Sequence, residues 1–282
     1  MGAMMTFVDK LRAAQTRADS WLCIGLDTDA DKVPPHSGGV VAFNRTIIQA
    51  TYDLVCAYKP NLAFYLARGS AGIDDLMQTV NAIPRDTPVI LDAKFGDIES
   101  SARGYARFAF ETLGVDAVTV SPYLGADALA PFLDSEDHAV FLLAHTSNPT
   151  ARDLQEAHIA PDDEPLYIRV ARYAKELTGL SDPISAHIGL VVGATFPQQL
   201  QAVRAANPAA VFLVPGIGAQ GGNMAETVEF GSNSAGIGSI INASRSIVYA
   251  SSGADYAQAA RVAAIKLRDD IRSLRKTQAL PE

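Results

Sequence analysis

Eight short apolar runs, each followed by a stretch of helical spacing, divide this sequence, and that alternation constrains its fold more than any other feature. The runs predict strands at 21–26, 55–58, from Val89 onward, and at 117–120, 139–144, 188–192, 211–214 and 239–242. Helices are expected at about 5–19, 40–54, 71–83, 99–113, 125–133, 164–178, 197–206 and 254–275. Strict alternation of this kind implies a parallel sheet with helices packed against it. Eight units in 282 residues, with no break in composition, predict one α/β domain over 1–282, a single (β/α)8 or TIM barrel. An open doubly wound sheet is the second choice. Its glycine-rich turn belongs after the first strand, and here the glycines cluster late, at 216, 218, 221 and 222.

The third run shows where the chemistry lies. It reads Val89-Ile-Leu-Asp92-Ala-Lys94-Phe-Gly-Asp97-Ile98, apolar at first and then abruptly charged. Alternate residues of a strand share a face, so Asp92 and Lys94 are expected side by side. In a barrel all strand C-termini meet at one rim. That rim would gather Asp27, Lys59, Asp92, Lys94, Ser147, the glycine loop and Arg245. Two nearby carboxylates resist joint ionisation unless cations lie between them, and Lys59 and Lys94 can serve so. Carboxylates around Lys94 favour a charged amine, which donates protons and is no Schiff-base nucleophile. Glycines after the seventh strand let backbone N–H groups approach an anion, and Arg245 after the eighth can grip phosphate with two hydrogen bonds. Gln220, inside that loop, could reach both phosphate and base.

Composition narrows the partners. The formal charge is −8 with no basic tract, which disfavours nucleic acid and anionic membrane. Cys23 and Cys56 both sit in apolar runs and read as reduced core residues. No 18-residue apolar run and no signal-peptide pattern appears, so a cytoplasmic protein is expected. No cluster has metal-ligand spacing, and no metal or organic cofactor is expected. Residues 1–5 are expected to include a cloning remnant. His145, at the end of the fifth run, is weighed as a catalytic base, but a structural hydrogen bond is the favoured role. The long segment 145–163 reads as a functional loop.

The segment Asp92-Ala-Lys94-Phe-Gly-Asp97-Ile98 resembles the Asp-x-Lys-x-x-Asp-Ile signature of the orotidine 5′-monophosphate decarboxylases. Gly25-Leu26-Asp27, Lys59, Pro215–Gly222 and Arg245-Ser-Ile match the same family, and Thr146-Ser147-Asn148-Pro149 matches its longer bacterial branch. The resemblance covers roughly residues 20–250. It implies a metal-free decarboxylase of a small nucleotide, orotidine 5′-monophosphate, in pyrimidine synthesis. By that resemblance Lys94 protonates C6 of the pyrimidine, Asp92 crowds the substrate carboxylate, and Lys59 and Asp97 complete the charge network. Asp97 comes from the other subunit of a homodimer with shared sites. Asp27 holds ribose hydroxyls, Ser147 the pyrimidine, and Gln220 and Arg245 the phosphate. Ile98, Ser101, Pro215 and Gly218 join the substrate contacts. The chain departs from the family pattern at Ser101, Phe95 and Glu99. Two rivals are a magnesium-dependent sugar-phosphate lyase, which wants a carboxylate where Lys59 stands, and a nucleotide-binding barrel without catalysis.

Overall fold

Each of the eight apolar runs forms a strand: β1 Leu22–Leu26, β2 Ala57–Pro60, β3 Ile90–Phe95, β4 Ala117–Val120, β5 Ala139–His145, β6 Ile188–Val192, β7 Phe212–Pro215 and β8 Ser239–Ala243. The structure, a computed structural model, describes residues 5–134, 137–179, 188–217, 222–233 and 238–278. All eight strands are parallel and run in the order β2-β1-β8-β7-β6-β5-β4-β3. The two ends meet through isolated bridges, Tyr58 with Val89 and Asn61 with Asp92, so the sheet closes into the expected (β/α)8 barrel.

Two apolar layers hold it. Outside the sheet, helix stripes such as Phe43, Ile47 and Leu76 pack on outward strand residues such as Ile24, Tyr58 and Leu91. Inside, Cys23, Ile90, Phe141, Leu213 and Ile240 fill the lower barrel, and the first helix, Phe7–Ala18, supplies Phe7, Val8 and Leu11 to the same cluster. That helix starts cleanly: the Thr6 hydroxyl accepts from Asp9 N–H and donates to the Asp9 carboxylate. Lys10 then pairs with Asp116 at 2.7 Å, and the other Asp116 oxygen accepts the Val89 N–H at 2.7 Å. The helix therefore stoppers the end of the barrel where strands begin. Both cysteines are free and buried within, and burial pushes the Cys23 thiol to about 12.

Several boundaries differ from expectation. β2 starts two residues late, because Val55 and Cys56 lead into the sheet and the charged Lys59 stays inside it. The helix expected at 71–83 runs over Gly69–Asn81, beginning where Gly69 takes a φ of +63°, and a short helix that the apolar spacing does not predict, Leu62–Leu66, precedes it. The helix expected at 99–113 is α-helical over Glu99–Arg107 and a π-turn over Phe108–Leu113. Segment 145–163 is not a bare loop: it holds the short helix Arg152–Gln155, and His158–Ile159 pairs antiparallel with Glu164–Pro165. No helix among the described residues is long and apolar enough to cross a membrane.

Phe7 is wholly buried, edge-on to Phe141 with ring centroids 5.8 Å apart. Phe7→Ala is expected to cost about 3–5 kcal/mol of stability, read as a lower urea midpoint.

Candidate active site

Lys59 is the only charged residue of β2, and it points into the barrel mouth with 3% of its surface exposed. Its Nζ lies 2.9 Å from Asp92 Oδ2 and 3.8 Å from Asp27 Oδ1. Lys94 Nζ lies 2.5 Å from the other Asp92 oxygen, Oδ1. Asp92 thus carries one ammonium on each oxygen. Burial would drive Lys59 to lose its proton, but the Asp27 and Asp92 carboxylates outweigh that and hold its pKa above the usual lysine range. Burial would likewise raise Asp92, and the two lysines reverse it, holding the carboxyl well below its ordinary value. Lys59 and Asp92 therefore hold each other charged.

The pair Asp92 and Lys94 shares a face, but not by regular pleating. Leu91 pairs with Val118 and Phe95 with Val120, so Asp92, Ala93 and Lys94 all lie opposite Thr119. β3 bulges there, and Lys94 takes a φ of +52°. For a residue with a side chain that left-handed conformation costs about 1–3 kcal/mol and persists only where surroundings enforce it. The bulge aims the Lys94 ammonium at Asp92 and at a cavity of about 490 Å³.

Loops after the other strands complete that cavity. Asp27 follows β1, and its neighbours are pinned: Tyr249 donates to the Asp27 carbonyl, and the buried Tyr65 hydroxyl donates to the Leu26 carbonyl. Asp27 Oδ1 is buried without a hydrogen bond among the described residues, an acceptor held ready. After β5, the Thr146 N–H donates to Gln155 Oε1 at 2.8 Å, which folds the Arg152–Gln155 helix back over the loop bearing Ser147. Gly193, after β6, admits that loop; a Cβ there would meet Ser147 at 2.8 Å. After β7, Gly216 has a φ of +106°, and its carbonyl accepts the Gly222 N–H. Arg245 begins a short helix after β8, is exposed and lines the same cavity.

The comparison with known proteins extends over the whole barrel. The sequence profile of the "Orotidine 5'-phosphate decarboxylase / HUMPS family" matches residues 20–261. The chain belongs to this family. The orotidine 5'-phosphate decarboxylase of Thermomicrobium roseum is 48% identical over 98% of both chains. That of Azoarcus sp. is 46% identical over 96% of this chain and 100% of its own. Among solved structures, the OMP decarboxylase of Leishmania donovani superposes with a TM-score of 0.82 at 39% identity, over 96% of this chain and 99% of that one. The UMP synthase of the same organism superposes at 0.84 and 40% identity, this chain spanning 57% of its length.

Seven of the sequence-predicted residues, Asp27, Lys59, Asp92, Lys94, Ser147, Pro215 and Arg245, line one cavity of this decarboxylase-family barrel. Asp97, Ile98 and Ser101 do not. The Asp97 carboxylate accepts the neighbouring Ile98 N–H, and Ile98 and Ser101 are exposed. The expected array Lys59, Asp92, Lys94, Asp97 is therefore three-membered within one chain. Gly218 and Gln220 lie outside the described residues. Sequence reading missed Asn61, Thr119, Gln155 and Asn242, which also line the cavity. Asn61 had a signal, standing right after Lys59-Pro60; so had Thr119, the one polar residue of β4. Gln155, in an irregular segment, had none. His145 is fully buried against Tyr167 and Phe196 and bonds Glu156 at 3.1 Å, outside the cavity; burial lowers its pKa against the pull of Glu156. Its role is structural.

Lys59→Met should leave Asp27 without its cation and Asp92 with Lys94 alone, costing about 3–5 kcal/mol at pH 7. The Asp92 pKa is depressed, so its contribution is full above the unfolded value of 3.8 and is lost as pH falls from there through the lower folded value. The gap between variant and wild type in urea unfolding should therefore narrow as the pH falls from about 4 to about 2. A gap constant over that range would remove Lys59 from the network.

Proposed function

We infer that the protein converts orotidine 5′-monophosphate to uridine 5′-monophosphate, the decarboxylation step of de novo pyrimidine synthesis. The observation that carries this reading is Asp92 held charged between Lys59 and Lys94 at the wall of a cavity that Arg245 also lines. Cleavage of the bond from C6 to the carboxylate leaves an electron pair on C6 with no electron sink. Positive charge fixed beside that carbon stabilises it, and the Lys94 ammonium then gives it a proton. Asp92 stands against the substrate carboxylate; two such charges about 4 Å apart repel by roughly 4 kcal/mol at an effective dielectric near 20. Phosphate bound by Arg245 and the glycine loop, far from C6, supplies the free energy that offsets this strain. Asp27, whose Oδ1 carries no hydrogen bond among the described residues, accepts a ribose hydroxyl, and Ser147 bonds the pyrimidine. Cytoplasmic action belongs to the same reading.

The magnesium-dependent rival fits less well. It needs a carboxylate at the end of β2, where the Lys59 ammonium already fills the space between Asp27 and Asp92. Metal-stripped protein is expected to turn over orotidylate undiminished in excess chelator. Binding without turnover would overturn the assignment. Lys94→Ala should abolish product formation and spare uridylate binding. Arg245→Ala should lower kcat/KM by about 1.5–3 kcal/mol. Equal small losses would refute both roles.

The site is shared across a homodimer in this proposal, with Asp97, Ile98 and Ser101 entering the partner's cavity. Two features support it. Asp97, Ile98 and Ser101 lie beyond β3, the last two exposed and Asp97 half-buried, and the segments after β3, β4 and β5 expose apolar side chains, Ile98 at 51%, Tyr123 at 78% and Leu154 at 58%. Exposed apolar side chains of this kind support a surface that a second subunit would cover. Mixing Lys94→Ala with Asp97→Ala protein should restore about a quarter of wild-type activity, because two-fold pairing makes one intact site per mixed dimer. No recovery, with subunit exchange verified by mass spectrometry, would place Asp97 in its own subunit's pocket.

A further inference from the structure

The bulge in β3 leaves two consecutive amides without a ladder partner, since three residues there face one residue of β4. Backbone N–H groups beside a buried wall must find acceptors. Both find the same one. The Thr119 hydroxyl oxygen accepts from Ala93 N–H at 3.0 Å and from Lys94 N–H at 2.9 Å, and lies 3.1 Å from Asp92 Oδ1. A hydroxyl has two lone pairs and one proton. With both lone pairs engaged, the proton goes to Asp92. Thr119 is 1% exposed, and its β-branched side chain has little rotamer freedom, so the three bonds form one rigid node.

We propose that Thr119 is a positioning residue for the decarboxylation. Its hydroxyl holds the left-handed backbone at Lys94 and orients the Asp92 carboxylate, so that one anchor sets both the proton donor and its counter-ion. Thr119 stands at the cavity wall with its hydroxyl turned to Ala93, Lys94 and Asp92, and it acts through Lys94 and Asp92. The proposal rests on the decarboxylase reading above. A residue only stabilising the fold would change ligand binding and turnover together. A positioning residue changes turnover alone, because the nucleotide is gripped at Asp27, Ser147 and Arg245, on other strands.

The test compares Thr119→Val, which keeps shape and loses the hydroxyl, with Thr119→Ser, which keeps the hydroxyl. Misplacing a reacting group by about 1 Å costs on the order of 100-fold in rate. The valine variant is expected to lose about that in kcat while its uridylate Kd, measured by calorimetry, stays within about threefold. The serine variant should recover most of kcat. Should the valine chain not fold, Thr119→Cys, whose thiol accepts hydrogen bonds weakly, takes its place with the same expectation. Wild-type kcat in the valine or cysteine variant overturns the assignment. So does a parallel loss of kcat and uridylate affinity, or a serine variant as slow as valine. Wild-type protein without turnover of orotidylate defeats the decarboxylase reading itself and is told apart at once, since it needs no variant.

Discussion

A buried ammonium is the constraint on which the rest of this structure depends. Lys59 sits almost wholly out of water, a placement that costs several kcal/mol unless opposite charge surrounds it. Asp92 and Asp27 provide that charge from β3 and from the end of β1. The three strands must therefore keep their register and their depth in the barrel. The arrangement also strengthens the seam between β2 and β3, where backbone pairing is thinnest. Only two isolated bridges join those strands, one of them Asn61 with Asp92, and the Lys59–Asp92 pair spans the same seam. Charges that line the cavity thus also help close the barrel.

Much of this was legible in the sequence, for a physical reason. A parallel barrel buries both faces of each strand, so its strands read as unbroken apolar runs, and a charge ending such a run has to be at the rim. That is why Lys59, Asp92 and Lys94 stood out, and why eight alternations sufficed for the architecture. Boundaries were less legible. β2 was drawn too early because Val55 and Cys56 are as apolar as the strand itself. The helix at 99–113 was read as continuous because hydrophobic spacing cannot register the shift to a π-turn at Phe108. Segment 145–163 looked like loop because its two-residue strands are shorter than any periodic signal.

The site was legible in its residue types but not in its backbone. Sequence placed Asp92 and Lys94 on one face through regular alternation. They share it because β3 bulges and Lys94 leaves the extended region, a device common beside active sites. No pattern of side chains announces a left-handed lysine. The answering residue, Thr119, sits on another strand and comes into view only once the register is known. Likewise Gln155 reaches Thr146 across a turn that propensity does not specify.

The helix that stoppers the barrel with Phe7 has a consequence for traffic. With Phe7, Leu11 and Phe141 packed together, the foot of the barrel is filled with side chains. The cavity lined by Lys59, Asp92 and Lys94 lies toward the other end, where the strands finish. What enters that cavity enters at the rim, past the loops there, among them the one after β5 that Gln155 pins through Thr146.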